Sequence, residues 1–363
     1  MIGRLFRVSF YGESHGYGVS TLIEGCPPGI RIDEDFISKE LGKRRIEDPS
    51  ISTQRIERDE FKITSGVFNG YTTGAPISIT ILNRDVDSRP YETIKNKPRP
   101  SHADLTAWIK YHGYNDFRGG GIFSGRLTAA MVAAGAIAKQ LIMKYDINVY
   151  AFTKSIGNIS LNNDVKLDDV INNTYSNPAR CPDPETASKM IELIKETRAK
   201  GDSIGGVVEA WVINVPPGLG DPPLDTLDGD IAKAVFTIPG VKAIEFGKGF
   251  DIARMTGSEA NDPIALKDGK IITLSNNSGG INGGISNGMP IIFRVAFKPT
   301  PSIYIPQKTI DLRHMRETMI RLWGRFDPCI AIRAPPIIES ITAIVIADHL
   351  LRWLAWEKYL EGR

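Results

Sequence analysis

The stretch SGRLTAAMVAAGAIAKQLIMKY, residues 124–145, constrains the fold more than any other. It is the longest helical signal in the chain, and its many alanines let neighbouring backbone approach closely. A helix apolar on every side belongs inside a core rather than on a surface. A chain of 363 residues can enclose such a helix, because at this length roughly 75% of the unfolded surface is buried on folding.

The rest of the chain mixes strands and helices without a regular alternation. Phe6, Val8 and Phe10 alternate with Arg7 and Ser9, which predicts a half-buried strand ending at Gly12. Asp33 or Asp35 can cap a helix carrying Phe36, Ile37 and Leu41 and ending in Lys43-Arg44-Arg45, part of which suits a C-terminal cap. Short and long helices are expected at 103–111 and 124–145, and Asp183-Pro184 forms an N-cap and N1 pair for a helix to about Ala199. Strands are expected at 206–215, 241–246 and 291–297, and an amphipathic helix at 225–236. Two helices close the chain, at 312–323 and 336–360. No repeat and no Pro/Gly linker divides the chain, so one α+β domain over 1–363 is the expectation.

Charge and cysteine content exclude several function classes. Forty-four Lys and Arg against 42 acidic residues leave a net charge of +2, which lacks the basic excess of a nucleic-acid binder. Cys26, Cys181 and Cys329 are far apart and form no CxxC or Cys/His pattern, so neither disulfides nor a zinc or other metal site is expected. The N-terminus has no signal-peptide core. The apolar stretch 337–356 is interrupted by Glu339, Asp348, His349 and Arg352, so it reads as a buried helix and not a membrane span. A cytoplasmic protein with reduced thiols, no membrane and no nucleic-acid partner is expected.

Of five histidines, His15 and His102 lie where chemistry could use them. His15 sits in Gly12-Glu13-Ser14-His15-Gly16 directly after a strand, where flanking glycines admit a ligand and a pKa near 6.5 allows proton exchange. A turn histidine bonded to backbone is the plainer alternative. His102 opens a helix, a position that attracts anions and lowers a histidine pKa, or that serves only as a cap. His112 is placed at a helix C-cap, and His314 and His349 within helices as surface or satisfied core groups.

Residues 119–126 form a Gly-rich turn ending in Ser124-Gly125-Arg126, whose N–H groups, hydroxyl and guanidinium suit a phosphate. The spacing is neither a Walker loop nor a dinucleotide fingerprint. A second Gly-rich run, 278–285, could pass close to a flat ligand, and Lys298-Pro299-Thr300-Pro301-Ser302 offers another phosphate grip. Arg325 and Asp327 could form a local salt bridge. With Arg44, Arg45, Arg118, Arg126 and Arg333, the residues point to an enzyme for a small polyanion, without naming its reaction.

Motif order goes further. GESHGYGVSTLIEGCPPG (12–29), GGGIFSGRLTAAMVAAGAIA (119–138) and RFDPCIAIRAPPIIES (325–340) resemble the three signatures of chorismate synthases. RPSHADLT, TQRIERDEFKITSGVFNGYTTG and SGGINGGISNGMPIIFRVAFKPTPS stand between them in the same order, so the resemblance covers about residues 3–351. It implies a β-α-β sandwich, usually a homotetramer, binding reduced FMN. The reaction implied is loss of the 3-phosphate and a C6 hydrogen from 5-enolpyruvylshikimate 3-phosphate, giving chorismate with no net redox change.

By the same resemblance His15, with Ser14 beside it, protonates the departing phosphate. His102 keeps the flavin correctly protonated, and Asp327 assists transfer of the C6 proton. The matching FMN positions are Ile122, Phe123, Ser124, Gly240, Gly283, Lys298, Pro299, Thr300, Pro301, Ser302 and Arg325. Arg44, Arg45 and Arg126 match positions for substrate or NADP. NADPH could reduce the flavin, although the absence of a reductase domain favours an external reductase. Five positions depart from the common pattern. Ser50 stands in place of an anion-binding arginine, Ser101 in place of a glycine, Pro239-Gly240 in place of a polar-small pair, and Ile122 in place of a polar residue. A flavin-dependent oxidoreductase and a non-catalytic phosphate binder are the alternative readings.

Overall fold

The computed structural model describes residues 1–53, 59–92, 94–162 and 165–362. Part of the TQRIERDEFKITSGVFNGYTTG motif, 54–58, lies outside the described residues. The chain begins with β1 (Arg7–Gly12), β2 (Gly18–Glu24), α1 (Glu34–Lys43), β3 (Phe61–Ser65) and β4 (Ile77–Leu82). Helices α2 (Asp104–Tyr111) and α3 (Thr128–Ile142) follow. Next come β5 (Asn148–Ile156), β6 (Ile159–Ser160), α4 (Pro184–Ala199), β7 (Gly206–Ile213), α5 (Leu227–Val235), β8 (Val241–Phe246) and β9 (Ile291–Phe297). Strands β10 (Gln307–Asp311) and β11 (Arg316–Ile320) precede the long helix α6 (Pro335–Glu361).

The larger strands form two sheets, ordered β1-β2-β4-β3 and β8-β9-β7-β5-β6, with every pairing antiparallel. Helix α3 packs on β2 and β4, α6 packs on β5 and β7, and the two helices pack on each other. The layers therefore run sheet, helix pair, sheet, which is the expected β-α-β sandwich. Alternation explains the sheet faces: Ile77, Ile79 and Ile81 of β4 and Ile291, Phe293, Val295 and Phe297 of β9 point inward. Each such side chain contributes about 1.5–3 kcal/mol by leaving water.

The helix layer is dry. Every residue of α3 except Gln140 is buried, as is every residue of α6 from Pro335 to Leu350. Of the residues 125–145, long and apolar enough to cross a membrane, 83% of the most apolar stretch lies inside the fold. The two helices meet at Gly135, where an added Cβ would lie 2.7 Å from Ser340 Oγ and still closer to its carbons. Asp348 of α6 binds the start of the chain, accepting from the backbone N–H groups of Arg4, Leu5 and Phe6 at 2.8, 2.6 and 2.9 Å.

Local signals place most elements. Asp33, not Asp35, caps α1 by accepting from Phe36 N at 3.1 Å, and Asp183 caps α4 through Thr186 N at 2.7 Å. Thr226 rather than Asp225 starts α5. The three cysteines are free and buried. One element differs: the helix expected at 312–323 is instead the turn and second strand of the β10–β11 hairpin, with Thr309 opposite Thr318. Asp311 accepts from Arg313 N and His314 N at 3.0 and 3.2 Å, and Met315 takes a left-handed φ of +48°. That turn reverses the chain before a helix can form, and pairing with β10 satisfies the backbone instead. His314 consequently sits on this turn, not within a helix, against Asp311 Oδ2 at 3.0 Å.

The α3–α6 crossing predicts a contrast between two helical glycines. Gly135→Ala should destabilise the protein by about 1–3 kcal/mol through overpacking. Gly42→Ala, in α1, meets only the far end of Arg45 and should be neutral or stabilising by up to ~1 kcal/mol. Equilibrium urea denaturation checks both, and equal effects would contradict close contact at Gly135.

Candidate active site

A cavity of about 640 Å³ opens at the N-terminal ends of α3 and α6. It gathers Ser14, His15, His102 and Asp327, together with Arg44, Arg45 and Arg126. Ile122, Phe123, Ser124, Gly240, Lys298, Thr300, Pro301, Ser302 and Arg325 line it as well. Pro299 does not line the cavity although its neighbours do, and Gly283 lies outside it. The run 278–285 does make close backbone contacts, but to the protein itself. An added Cβ at Gly279 would lie 2.8 Å from Gly247 Cα, and one at Gly280 2.5 Å from Pro290 O. No flat ligand is needed to explain those two glycines.

The Gly119-Gly120-Gly121 turn sets the positions of both histidines. All three glycines have positive φ (+59°, +84° and +53°), a region other residues enter at a cost. A Cβ on Gly119 would sit 2.6 Å from His15 Nε2 and 2.7 Å from Ser14 Oγ. A Cβ on Gly120 would sit 3.2 Å from His102 Cε1. Successive residues of one turn thus lie against the two rings and keep them apart.

The rings have different surroundings. His15 Nδ1 is 2.8 Å from Ser88 Oγ, and the ring meets Tyr91 edge-on with centroids 5.1 Å apart. His102 Nδ1 is 2.6 Å from Asp104 Oδ1, and Arg99 grips the same carboxylate through Nε and Nη2 at 2.7 and 2.9 Å. Burial depresses the His102 pKa below its ordinary value, against the opposing pull of Asp104. The direction is the one expected for a helix start, but the cause is burial. Burial also disfavours charge on Asp104, yet Arg99 and His102 outweigh it and hold that carboxyl well below the usual range.

Asp327 and Arg325 do not pair with each other. Arg325 forks onto Asp85 at 2.7 and 2.9 Å. Asp327 Oδ1 accepts from Arg333 Nη2 at 3.0 Å and Thr53 N at 2.8 Å. Two residues apart in an extended turn, the side chains diverge to separate partners. Ser50 turns away from the cavity and bonds Asp48 at 2.6 Å. Ser101 holds a left-handed φ of +57°, and Lys298 Nζ donates to its carbonyl. That backbone geometry is the reason a glycine would fit there.

Several lining or supporting residues carried no local signal. Asp59 lies between Arg44 and Arg126 and is bonded by both guanidiniums. Asn83 accepts from Arg126 Nε at 2.8 Å and donates to Glu13 O and Gly16 O at 2.8 and 3.0 Å, joining that arginine to the His15 turn. Arg99, Asp104 and Tyr91 complete the surroundings of the histidines. Only the Arg99–Asp104 pair, five residues apart around His102, was near enough in sequence to suggest itself.

The donor set fits an anionic, flat cofactor. Thr300 Oγ1 is buried with no hydrogen-bond partner, beside Lys298 and Ser302. Gly240, at φ +92°, borders the cavity beside Ile330, whose Cδ1 would lie 2.5 Å from an added Cβ. Among the described residues no group of three or more His, Cys, Asp or Glu side chains could hold a metal ion.

Comparison with known proteins gives one consistent result. The sequence profile of chorismate synthase matches residues 6–351. The chorismate synthase of Pyrococcus abyssi is 52% identical over 357 residues, covering 98% of this chain and 99% of that protein. That of Dehalococcoides mccartyi is 47% identical over 351 residues, covering 97% and 96%. A chorismate synthase crystal structure superposes with a TM-score of 0.78 at 32% identity, covering 99% of this chain and 98% of that one.

The Asp104 contact yields a titration prediction. Because His102 binds a proton less readily in the folded chain than in the unfolded one, it reduces stability as pH falls below about 6.5. Asp104→Asn removes the group that favours the charged ring, so His102 should titrate at a still lower pH. Histidine-ring NMR across pH 4–8 reads this, at the about 6.5 reference of free histidine, and an unchanged or raised titration would contradict it.

Proposed function

This chain belongs to the chorismate synthase family, and from that premise we propose how its residues divide the work of converting 5-enolpyruvylshikimate 3-phosphate to chorismate. The activity is that of a lyase of aromatic amino-acid biosynthesis. The observation that carries the residue assignment is the glycine turn that holds His15 and His102 against neighbouring residues within one cavity.

His15 is the proton donor to the leaving phosphate. Ser88 and Tyr91 brace its ring beside the buried Ser14, so the donor has a fixed orientation at the wall of the cavity. His102 is the neutral partner on the other side of the turn. Burial lowers its pKa and so favours the uncharged ring, with Asp104 fixing the ring through Nδ1. Asp327 assists removal of the C6 proton. Both of its hydrogen bonds fall on Oδ1, which leaves Oδ2 to accept. Arg44, Arg45 and Arg126 line the cavity as the cationic counterpart of the substrate's phosphate and carboxylates.

Lys298, Thr300, Ser302 and Arg325, with Gly240, Ile122 and Phe123, line the cavity and would hold reduced FMN. When bound, it supplies transient electron density that eases loss of an allylic phosphate without net oxidation. An external reductase keeps the flavin reduced, and NADPH is the alternative source. The chain works as one domain, since the buried residues of both sheets and the helix layer form one continuous core. A homotetramer in the cytoplasm is the expected working form. Ile264, Leu266 and Ile271, each 75–79% exposed on one hairpin, offer apolar surface for such an assembly.

The test supplies the protein with chemically reduced FMN and substrate under anaerobic conditions. Chorismate and phosphate should form in equal amounts while the flavin ends reduced. His15→Ala and His102→Ala should each lower turnover about 10²–10⁴-fold. Stoichiometric flavin oxidation would mark an oxidoreductase instead. Absence of turnover would mark a binding protein, and near-normal rates in both variants would overturn the residue roles.

A further inference from the structure

The arginines assigned above to the substrate's anions already hold one. Asp59 Oδ2 takes Nη1 of Arg44, and Asp59 Oδ1 takes Nη1 of Arg126. The carboxylate side chain is 6% exposed and the guanidiniums 14% and 5%, so this ion triplet is withdrawn from bulk water. All three residues line the cavity. Burial opposes charge on Asp59, but the two arginines outweigh it and hold its carboxyl below the usual range. The outer edges of the arginines are tied down as well. Arg44 Nη2 donates to Thr128 Oγ1 at 3.0 Å, and Arg126 donates to Asn83 Oδ1 and Leu82 O at 2.8 and 3.1 Å. Arg44 Nε is buried with no partner at all.

Carboxylate and phosphate oxygens seek the same guanidinium donors. The space between Arg44 and Arg126 therefore has the chemistry of an anion seat, and the protein fills it from its own chain. We propose that Asp59 is an internal anion occupying that seat, with which the substrate's phosphate or carboxylate must compete. The proposal rests on the reading of Arg44 and Arg126 as the substrate grip.

Its consequence is selectivity. Without this carboxylate the two buried arginines would bind small anions more readily, including the phosphate that the reaction releases. With Asp59 present the triplet has a net charge of +1, so a lone phosphate gains little by displacing it. A substrate anchored elsewhere in the cavity by its other charged groups can displace it. Asp59 thus favours the whole substrate over its phosphate fragment and helps the product phosphate leave.

The experiment compares inorganic phosphate binding to the wild-type protein and to Asp59→Asn, by calorimetry and by the phosphate-dependent rise in melting temperature. Chloride at equal ionic strength controls for screening. Asp59→Asn should bind phosphate about tenfold more tightly than wild type, a difference of ~1.4 kcal/mol. In the double variant Arg44→Gln/Asp59→Asn the gain should vanish. Equal or weaker phosphate binding by Asp59→Asn would overturn the proposal.

Removing the carboxylate takes a counter-ion from two buried cations, which destabilises the fold. A variant that folds only when phosphate is added supports the internal-anion role, and one that phosphate does not restore contradicts it. None of these measurements needs turnover. Tighter phosphate binding in a protein that makes no chorismate would keep the anion seat and reject the reaction. Normal turnover with unchanged phosphate binding would do the reverse.

Discussion

The crossing of the two buried helices at Gly135 and Ser340 is the contact on which the rest of the structure depends. One helix carries the N-terminal sheet and the other the C-terminal sheet, so their close approach joins the two halves into one layered body. It also brings two helix N-termini to the same cavity. Residues 119–128 lead into one helix and 325–334 into the other. Ser124, Arg126 and Arg333 thus sit where backbone N–H groups and helix dipoles favour negative charge. The site follows from the packing of the core.

Within the cavity, backbone conformation provides the precision. Three consecutive positive-φ glycines make a turn with no side chains, narrow enough to lie against Ser14 and His15 at one residue and His102 at the next. Each histidine is then tuned by its own neighbours. Ser88 and Tyr91 fix His15, while Asp104 and Arg99 surround a buried His102. Asn83 links the His15 turn to Arg126 through one amide. Arginines outnumber carboxylates in and around this cavity, although Asp59, Asp85, Asp104 and Asp327 each pair with one or more of them.

Elements marked by local chemistry were legible in the sequence. Asp33 and Asp183 announced their helices as caps, β4 and β9 announced their inner faces by alternation, and the alanine-rich helix announced its burial. The segment 312–323 misled because its apolar spacing suits a helix, while its fate was set by a turn at Asp311 and a partner strand. The site was legible as a set of residues from motif order. Its pairings were not, since Asp59 and Asn83 meet Arg126 across 67 and 43 residues. Arg325 and Asp327, close in sequence, part to reach Asp85 and Arg333. Ser101 shows the two levels agreeing: an unusual residue in the motif occupies a backbone angle that suits glycine.

The claim that this bare turn aims His15 is tested most directly by the kcat of Gly119→Ala. A single methyl there would press on His15 and Ser14 and strain a left-handed backbone, with the buried core left intact. This arrangement predicts a fall in kcat of about 10²-fold or more in a variant that still melts cooperatively. Turnover within a factor of about two of wild type would contradict it, because a histidine aimed by that turn could not keep its place beside the added group.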